Sequence, residues 1–364
     1  MQLKNVKIIN HNLIISNANI EIKDNKIVSI ERIKGNGVKI IVPGFIDTHI
    51  HGFMGNDAMD SREAVEQLSI DLGNHGTTSF FPVVMTESLE NIHQSLKNIS
   101  DAKFNGSKIL GIHLEGPYIS HEKKGAHDPQ YIIKPKYGDI TKLQKKANGL
   151  IKKITFAPEV TPNNVVREMV SLGISPSIGH TNASYDHVIN AINLGANSCT
   201  HLWNAMSGVQ NRKPGVVEAI LNTDTVYAEL ITDLVHVDKE AIKLSIKSKG
   251  PNKIVIVTDS IRPSGLPDGN SKSGGLEITK SGDKITLKGS NTIAGSAATM
   301  YSNFSKLILL GYDIQDIVAM TSYNAAKNMN LIGVGKIKEG YFADIIMMDK
   351  NFNIKEVYIN GNKQ

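Results

Sequence analysis

Apolar runs and helical patterns alternate through the middle of this chain. Runs that read as strands fall at Ile40–His51, Thr77–Met85, Lys108–Glu115, Ile154–Glu159, Ser175–His180, Ser198–Asn204, Val226–Val235 and Lys253–Asp259. Between them, Ser61–Asn74, Ser88–Ile99, Asn163–Leu172, Tyr185–Leu194 and Lys239–Ser248 carry apolar residues at helical spacing. Such alternation predicts an α/β chain whose strands are parallel, as in a (β/α)8 TIM barrel. An open doubly wound sheet would alternate in the same way, but no Gly-x-Gly-x-x-Gly follows the first strand. The two ends differ in style. Val6–Ile9, Leu13–Ser16, Asn19–Lys23 and Lys26–Ile33 read as short strands, and Asp344–Asp349 and Lys355–Ile359 resume that pattern. The ends are therefore expected to form one small β-sandwich domain, residues 1–42 with 333–364, around a barrel at 43–332. Leu276–Thr279 and Lys284–Leu287 look like an inserted hairpin turning at Ser281-Gly282-Asp283.

At 364 residues the chain suits one large barrel with an appendage. No apolar run approaches the ~18 residues a membrane helix needs, and Met1–Val6 has no signal-like apolar core. A single cysteine, Cys199, excludes an intrachain disulfide and fits a reducing compartment. A cytoplasmic protein without membrane contact is expected. The net charge of +5 is spread over 40 basic and 35 acidic residues with no long basic run. That is too diffuse for nucleic-acid binding, and it leaves room for an anionic small molecule.

The polar residues fall where a barrel would use them. Asp47, His49 and His51 end the first run, Glu115 the third, His180 the fifth, His201 the sixth and Asp259 the eighth. In a parallel barrel these ends share one face. Imidazole and carboxylate are the ligands of zinc and similar divalent ions. His49 and His51, two apart on a strand, point to the same side and can face one ion together. A lone His-x-His is often incidental, and a lone His180 or His201 is more often a satisfied core histidine. Coincidence at several strand ends argues against that reading for all of them. Asp259 closes a run that looks buried on both faces, where a carboxylate needs either several donors or a catalytic task. His113, two before Glu115, is assigned to the barrel interior or to support of the ligands. Trp203 is either a pocket wall or ordinary packing.

The segment Pro43-Gly44-Phe45-Ile46-Asp47-Thr48-His49-Ile50-His51 resembles the first-strand motif of the metal-dependent amidohydrolases. Further motifs are similar to those of the N-acetylglucosamine-6-phosphate deacetylase family, essentially end to end. They include His113-Leu114-Glu115-Gly116-Pro117, Gly179-His180-Thr181-Asn182-Ala183, Thr200-His201-Leu202-Trp203-Asn204-Ala205-Met206 and Val257-Thr258-Asp259. The resemblance implies that Glu115, His180 and His201 bind an essential divalent ion, zinc or alternatively iron or manganese. It implies that Asp259 accepts and returns the proton. It assigns His127 to the acetamido group, Asn204 and Ala205 to backbone contacts with the sugar phosphate, and Arg212 and His236 to the phosphate. Ala126 and Asp233 are counted with the substrate contacts, and Ile293-Ala294-Gly295 line the sugar side. Because His49 and His51 are retained, a second ion bridged by Glu115 is an open alternative to one ion per subunit. The family also implies a homodimer in which Arg212 reaches the neighbouring site.

The expected reaction is hydrolysis of an acetamide on a phosphorylated amino sugar without a covalent intermediate. No serine or cysteine nucleophile motif is present. Dihydroorotase-like and hydantoinase-like relatives bridge their metals with a carboxylated lysine near the end of the fourth strand. Here that place reads Phe156-Ala157-Pro158-Glu159, and Glu115 offers the bridge instead. A non-catalytic scaffold should have lost ligands that this chain retains.

Overall fold

The computed structural model describes residues 1–364. Eight parallel strands form the central sheet: Phe45–Ile50, Thr77–Met85, Ile112–Glu115, Ile151–Phe156, Ser175–Ile178, Ser198–Cys199, Tyr227–Leu230 and Ile254–Ile256, each paired with the next. The seam between first and eighth is closed by the Ile50–Ser260 bridge, with Asp259 N donating to His49 O at 2.9 Å and His51 N to Ser260 O at 2.9 Å. The (β/α)8 barrel is the result. Its helices pack on the strands through a cluster of 51 buried apolar residues, so the fold does not depend on the polar groups at one end. Helix starts follow the sequence closely, because Ser61, Ser88, Ser184 and Asp238 each accept a backbone N–H of the first turn. No helix is long and apolar enough to cross a membrane.

The strands are shorter than the apolar runs. The sixth covers two residues rather than Ser198–Asn204, and the seventh stops at Leu230 rather than Val235. The reason is backbone conformation: His180, His201 and Asp259 have φ of 46°, 31° and 51°, and Leu234 has 63°. A left-handed residue breaks the ladder, so the chain leaves the sheet at the chemically important positions.

Both termini meet in one seven-stranded sheet, which places Ile345–Met348 beside Lys39–Pro43 and Gln2–Ile9 beside Ile14–Lys23. Its two faces alternate residue by residue. Ile8, Ile41, Ile345 and Met347 join a 13-residue cluster belonging to this sheet, while Ile9, Ile40, Val42, Ile346 and Met348 join the barrel cluster. The hairpin Ile14–Lys23/Lys26–Arg32 turns at Asp24 and Asn25, both with positive φ as a tight two-residue turn needs. The insertion after the eighth strand is a four-stranded sheet rather than a hairpin alone: Gly269–Ser273, Leu276–Ser281, Lys284–Leu287 and Ile293–Ser296.

Candidate active site and metal centre

The strand ends converge on a cavity of about 450 Å³ lined by 19 residues. Of the residues singled out in the sequence, His51, Glu115, Ala126, His127, His180, His201, Asn204, Ala205, His236, Asp259, Ile293, Ala294 and Gly295 line it. His49 lies directly beneath, fully buried. Glu115 is the hub. Its Oε1 lies 3.2 Å from Nε2 of His180, 3.2 Å from Nε2 of His201 and 3.5 Å from Nε2 of His49. Its Oε2 lies 3.3 Å from His51 Nε2 and 3.7 Å from His127 Nε2. Asp259 Oδ1 faces His51 Nε2 at 3.1 Å and His49 Nε2 at 3.4 Å. Two ligand-type groups stand out, His49–His51–Asp259 and Glu115–His127–His180, each with donor atoms within 4.8 Å of one another. His201 belongs beside the second group, its Nε2 3.0 Å from His180 Nε2.

Several rings are held by their far nitrogens. Nδ1 of His49 meets Glu229 Oε2 at 3.2 Å, Nδ1 of His180 meets the Lys123 carbonyl at 2.9 Å, and Nδ1 of His236 meets Asp233 Oδ2 at 2.7 Å. Each contact gives Nδ1 an acceptor and turns Nε2 toward the centre. His49 Nε2 is buried and has no hydrogen-bond partner at all. An imidazole whose outer nitrogen is anchored in this way has its inner nitrogen oriented as a metal ligand would need it.

The electrostatics agree. Burial works against charge on His49 and His51, yet Glu115 and Asp259 hold their pKa values up at about 9 and about 10. Burial likewise opposes charge on Glu115 and Asp259, and the surrounding imidazoles pull both below the usual carboxylate range. Two buried carboxylates thus require positive charge beside them, which imidazolium or a divalent cation can supply. His127 behaves oppositely: burial and His180 keep it neutral.

Local backbone serves this geometry. The left-handed residues His180, His201 and Asp259 each cost roughly 1–3 kcal/mol. Their peptide groups are pinned: Ser120 N donates to His180 O at 2.9 Å, Asn204 N to His201 O at 3.0 Å and Ser296 N to Asp259 O at 2.8 Å. At Gly295 φ is 132°, and a Cβ there would meet Ile261 at 2.6 Å and the Asp259 carbonyl at 3.1 Å. Only glycine lets this strand lie so close to Asp259. Asp47 is a seam residue rather than a pocket group. It accepts from Thr258 Oγ1 at 2.6 Å and from His49 N at 3.1 Å, and burial pushes it up to about 6.

Some expectations land elsewhere. Asp233, expected among the substrate contacts, does not line the pocket. Both its oxygens are used by Val235 N, His236 N and His236 Nδ1. His236 sits deep, its Nε2 4.0 Å from Asp259 Oδ2. Arg212 is exposed in the loop after His201 and does not line its own chain's pocket. Trp203 donates Nε1–H to Ser245 Oγ at 2.8 Å and packs on the barrel cluster, so it is no pocket wall. Cys199 is buried, with its thiol pushed up by burial.

Other residues escaped the sequence reading. Glu122, Lys123, Asn291 and Thr292 line the pocket from loops without a periodic signal. Lys153 and Glu229 are buried inside the barrel and ion-paired to each other. Lys153 lies in the fourth strand, three residues before Phe156, but its Nζ is taken by Glu229 and it joins neither ligand group. The only sign of them was a charge within an apolar strand.

Residues 40–363 match the amidohydrolase family. The chain belongs to the amidohydrolase family. Within it, the chain is 33% identical over 99% of its length to N-acetylglucosamine-6-phosphate deacetylase of Lysinibacillus sphaericus, of which it covers 96%. The crystal structure of N-acetylglucosamine-6-phosphate deacetylase from Thermotoga maritima superposes with TM-score 0.91 at 31% identity, covering 100% of this chain and 99% of that one. A mutant of the Mycobacterium smegmatis deacetylase in complex with N-acetyl-D-glucosamine-6-phosphate superposes with TM-score 0.94 at 27% identity, covering 100% and 98%.

Proposed function

We propose that this chain hydrolyses the N-acetyl group of N-acetyl-D-glucosamine 6-phosphate, giving acetate and D-glucosamine 6-phosphate. The observation that carries the reading is the convergence of Glu115, His180, His201 and Asp259 on one pocket, in a chain so similar throughout to deacetylases of that specificity. The donor set fits a divalent ion such as zinc, iron or manganese. Glu115, His180 and His201 would hold the essential ion, and His49, His51 and Asp259, with Glu115 as bridge, a second. When bound, the metal supplies Lewis acidity that makes water reactive at neutral pH.

Asp259 is the general base and then the acid. It is ionised, its side chain is 13% exposed toward the pocket, and it takes a proton from the attacking water and returns it to the sugar nitrogen. Neutral His127 has one ring N–H to give, and it donates to the acetyl oxygen as negative charge builds there. His236, aligned by Asp233, sets the far side of Asp259 and reaches toward the phosphorylated end of the sugar. Ala126 joins His127 around the acetamido group, Ile293-Ala294-Gly295 flank the ring, and Asn204-Ala205 offer backbone groups to the phosphate arm. Lys123 is the only lysine or arginine lining the pocket. Arg212 of the partner subunit would complete phosphate recognition in a homodimer, its planar fork suited to phosphate oxygens. Residues 43–332 carry this chemistry, and 1–42 with 333–364 form the appended domain.

Stripping the metal with a chelator and restoring it tests the reading. Acetate release from the phosphorylated sugar should vanish and return with the metal. Undiminished release from verified metal-free protein would sink it.

A further inference from the structure

We infer that Lys153 and Glu229 are positioning residues for the first-strand metal ligand: their buried ion pair fixes His49 as the Nδ1–H tautomer and turns its Nε2 toward Glu115 and Asp259. The inference rests on the proposed reading of His49 as a ligand.

Lys153 comes from the fourth barrel strand and Glu229 from the seventh, so their side chains meet across the interior beneath the site. The Lys153 side chain is 0% exposed and that of Glu229 1%. Glu229 Oε1 accepts from Lys153 Nζ and from Thr48 Oγ1 at 3.0 Å, while Oε2 accepts from His49 Nδ1 at 3.2 Å. Glu229 is the one hydrogen-bond partner of the Lys153 ammonium. The His49 ring is also boxed by His113, edge-on with centroids 4.5 Å apart, so it cannot turn over and exchange its nitrogens.

Stability does not account for this pair. Two charges taken out of water lose hydration that their attraction barely restores, and an apolar pair of the same volume is often as stable or more so. A position-setting role does account for it. A carboxylate behind a ligand imidazole strengthens the donor and fixes the tautomer. A bare glutamate here would be a third buried negative charge close to Glu115 and Asp259. Lys153 cancels it, so Glu229 can hold the Nδ1 proton without altering the net charge that the ions must balance. The same pairing occupies the lysine Nζ with Glu229, away from both ligand groups.

The test uses the double variant Lys153→Met/Glu229→Gln, which removes both charges together and keeps a carbonyl acceptor for Nδ1. Zinc-loaded protein is titrated with a competing chelator, and bound metal is counted per subunit. Wild type is expected to hold two ions. The double variant should stay folded by circular dichroism, keep the Glu115–His180–His201 ion and bind the second roughly 10–100-fold more weakly. Lys153→Met alone, with its uncompensated glutamate, should be worse than the double. A folded double variant that holds both ions as tightly as wild type overturns the inference, as does a wild type that holds only one. Should the double variant fail to fold, the zinc-loaded wild type still decides. Ring nitrogen shifts in NMR must show His49 protonated at Nδ1 and metal-bound at Nε2, and the opposite tautomer refutes the inference. None of these measurements uses the sugar. Two tightly held ions without acetate release would therefore sink the functional reading and leave the role of the pair intact.

Discussion

Replacing Asp259 with Asn isolates the proton-transfer step more cleanly than any other change at this site. Asp259 has φ of 51°, a conformation that asparagine tolerates almost as well as aspartate. Its backbone is tied to both neighbours, through Asp259 N to His49 O at 2.9 Å and Ser296 N to Asp259 O at 2.8 Å. The amide therefore occupies the same place with the same volume and still offers an oxygen to His51. What disappears is the carboxylate that can take a proton. Loss of a general base costs roughly 10²–10⁴ in rate, or about 3–5 kcal/mol at 1.36 kcal/mol per decade. The upper end is expected because the same group returns the proton to the leaving nitrogen. Since Asp259 also stands with His49 and His51, the rate must be read beside metal content. The expected variant keeps the Glu115–His180–His201 ion, binds the phosphorylated sugar and turns over about 10⁴-fold more slowly. A metal-replete variant within tenfold of wild type would refute the assignment and pass the base to His127 or His236.

His201→Ala should abolish the Glu115–His180–His201 ion and activity while leaving the circular dichroism spectrum unchanged, because the 51-residue apolar cluster does not include it. Arg212→Ala removes charged hydrogen bonds of about 1.5–3 kcal/mol each, so kcat/KM for the phosphorylated sugar should fall roughly 10–100-fold. The unphosphorylated sugar should be nearly unaffected. Mixing Arg212→Ala with Asp259→Asn subunits should restore activity, since a mixed dimer has one site with an intact Asp259 and an intact partner arginine; no recovery in verified mixed dimers would mean that Arg212 acts within its own chain or not at all. Thr258→Val deletes the hydroxyl that donates to Asp47 across the barrel seam at 2.6 Å and accepts from Ser260 N two residues on at 3.1 Å. It should cost about 1–3 kcal/mol, seen as a lower urea midpoint at unchanged slope.

The barrel and the cluster of imidazoles and carboxylates at its strand ends were legible because both are written locally. An apolar run that ends in His, Asp or Glu marks a strand end, and Ser61, Ser88, Ser184 and Asp238 mark helix starts by a single side-chain hydrogen bond. Strand lengths were not legible. The runs through His201 and Val235 stay apolar while the backbone turns left-handed, and that turn depends on contacts such as Asn204 N to His201 O. The inserted sheet was half visible, since Gly269–Ser273 and Ile293–Ser296 are built of small and polar residues with no strand pattern. Lys153 and Glu229 lie 76 positions apart on non-adjacent strands. Each alone reads as an ordinary surface charge, and only barrel closure brings them together. Asp233 meets His236 Nδ1 at 2.7 Å across a three-residue spacing, a contact that becomes visible only once the backbone turns after the seventh strand.

Deacetylation of a phosphorylated amino sugar is decided by following both products of a single assay. Metal-replete protein is given N-acetyl-D-glucosamine 6-phosphate or the unphosphorylated sugar at equal concentration, and free acetate and amine are followed together by NMR. Equimolar acetate and D-glucosamine 6-phosphate are expected from the first, and far slower release from the second. No acetate from the phosphorylated sugar, with the metal content verified, would contradict it.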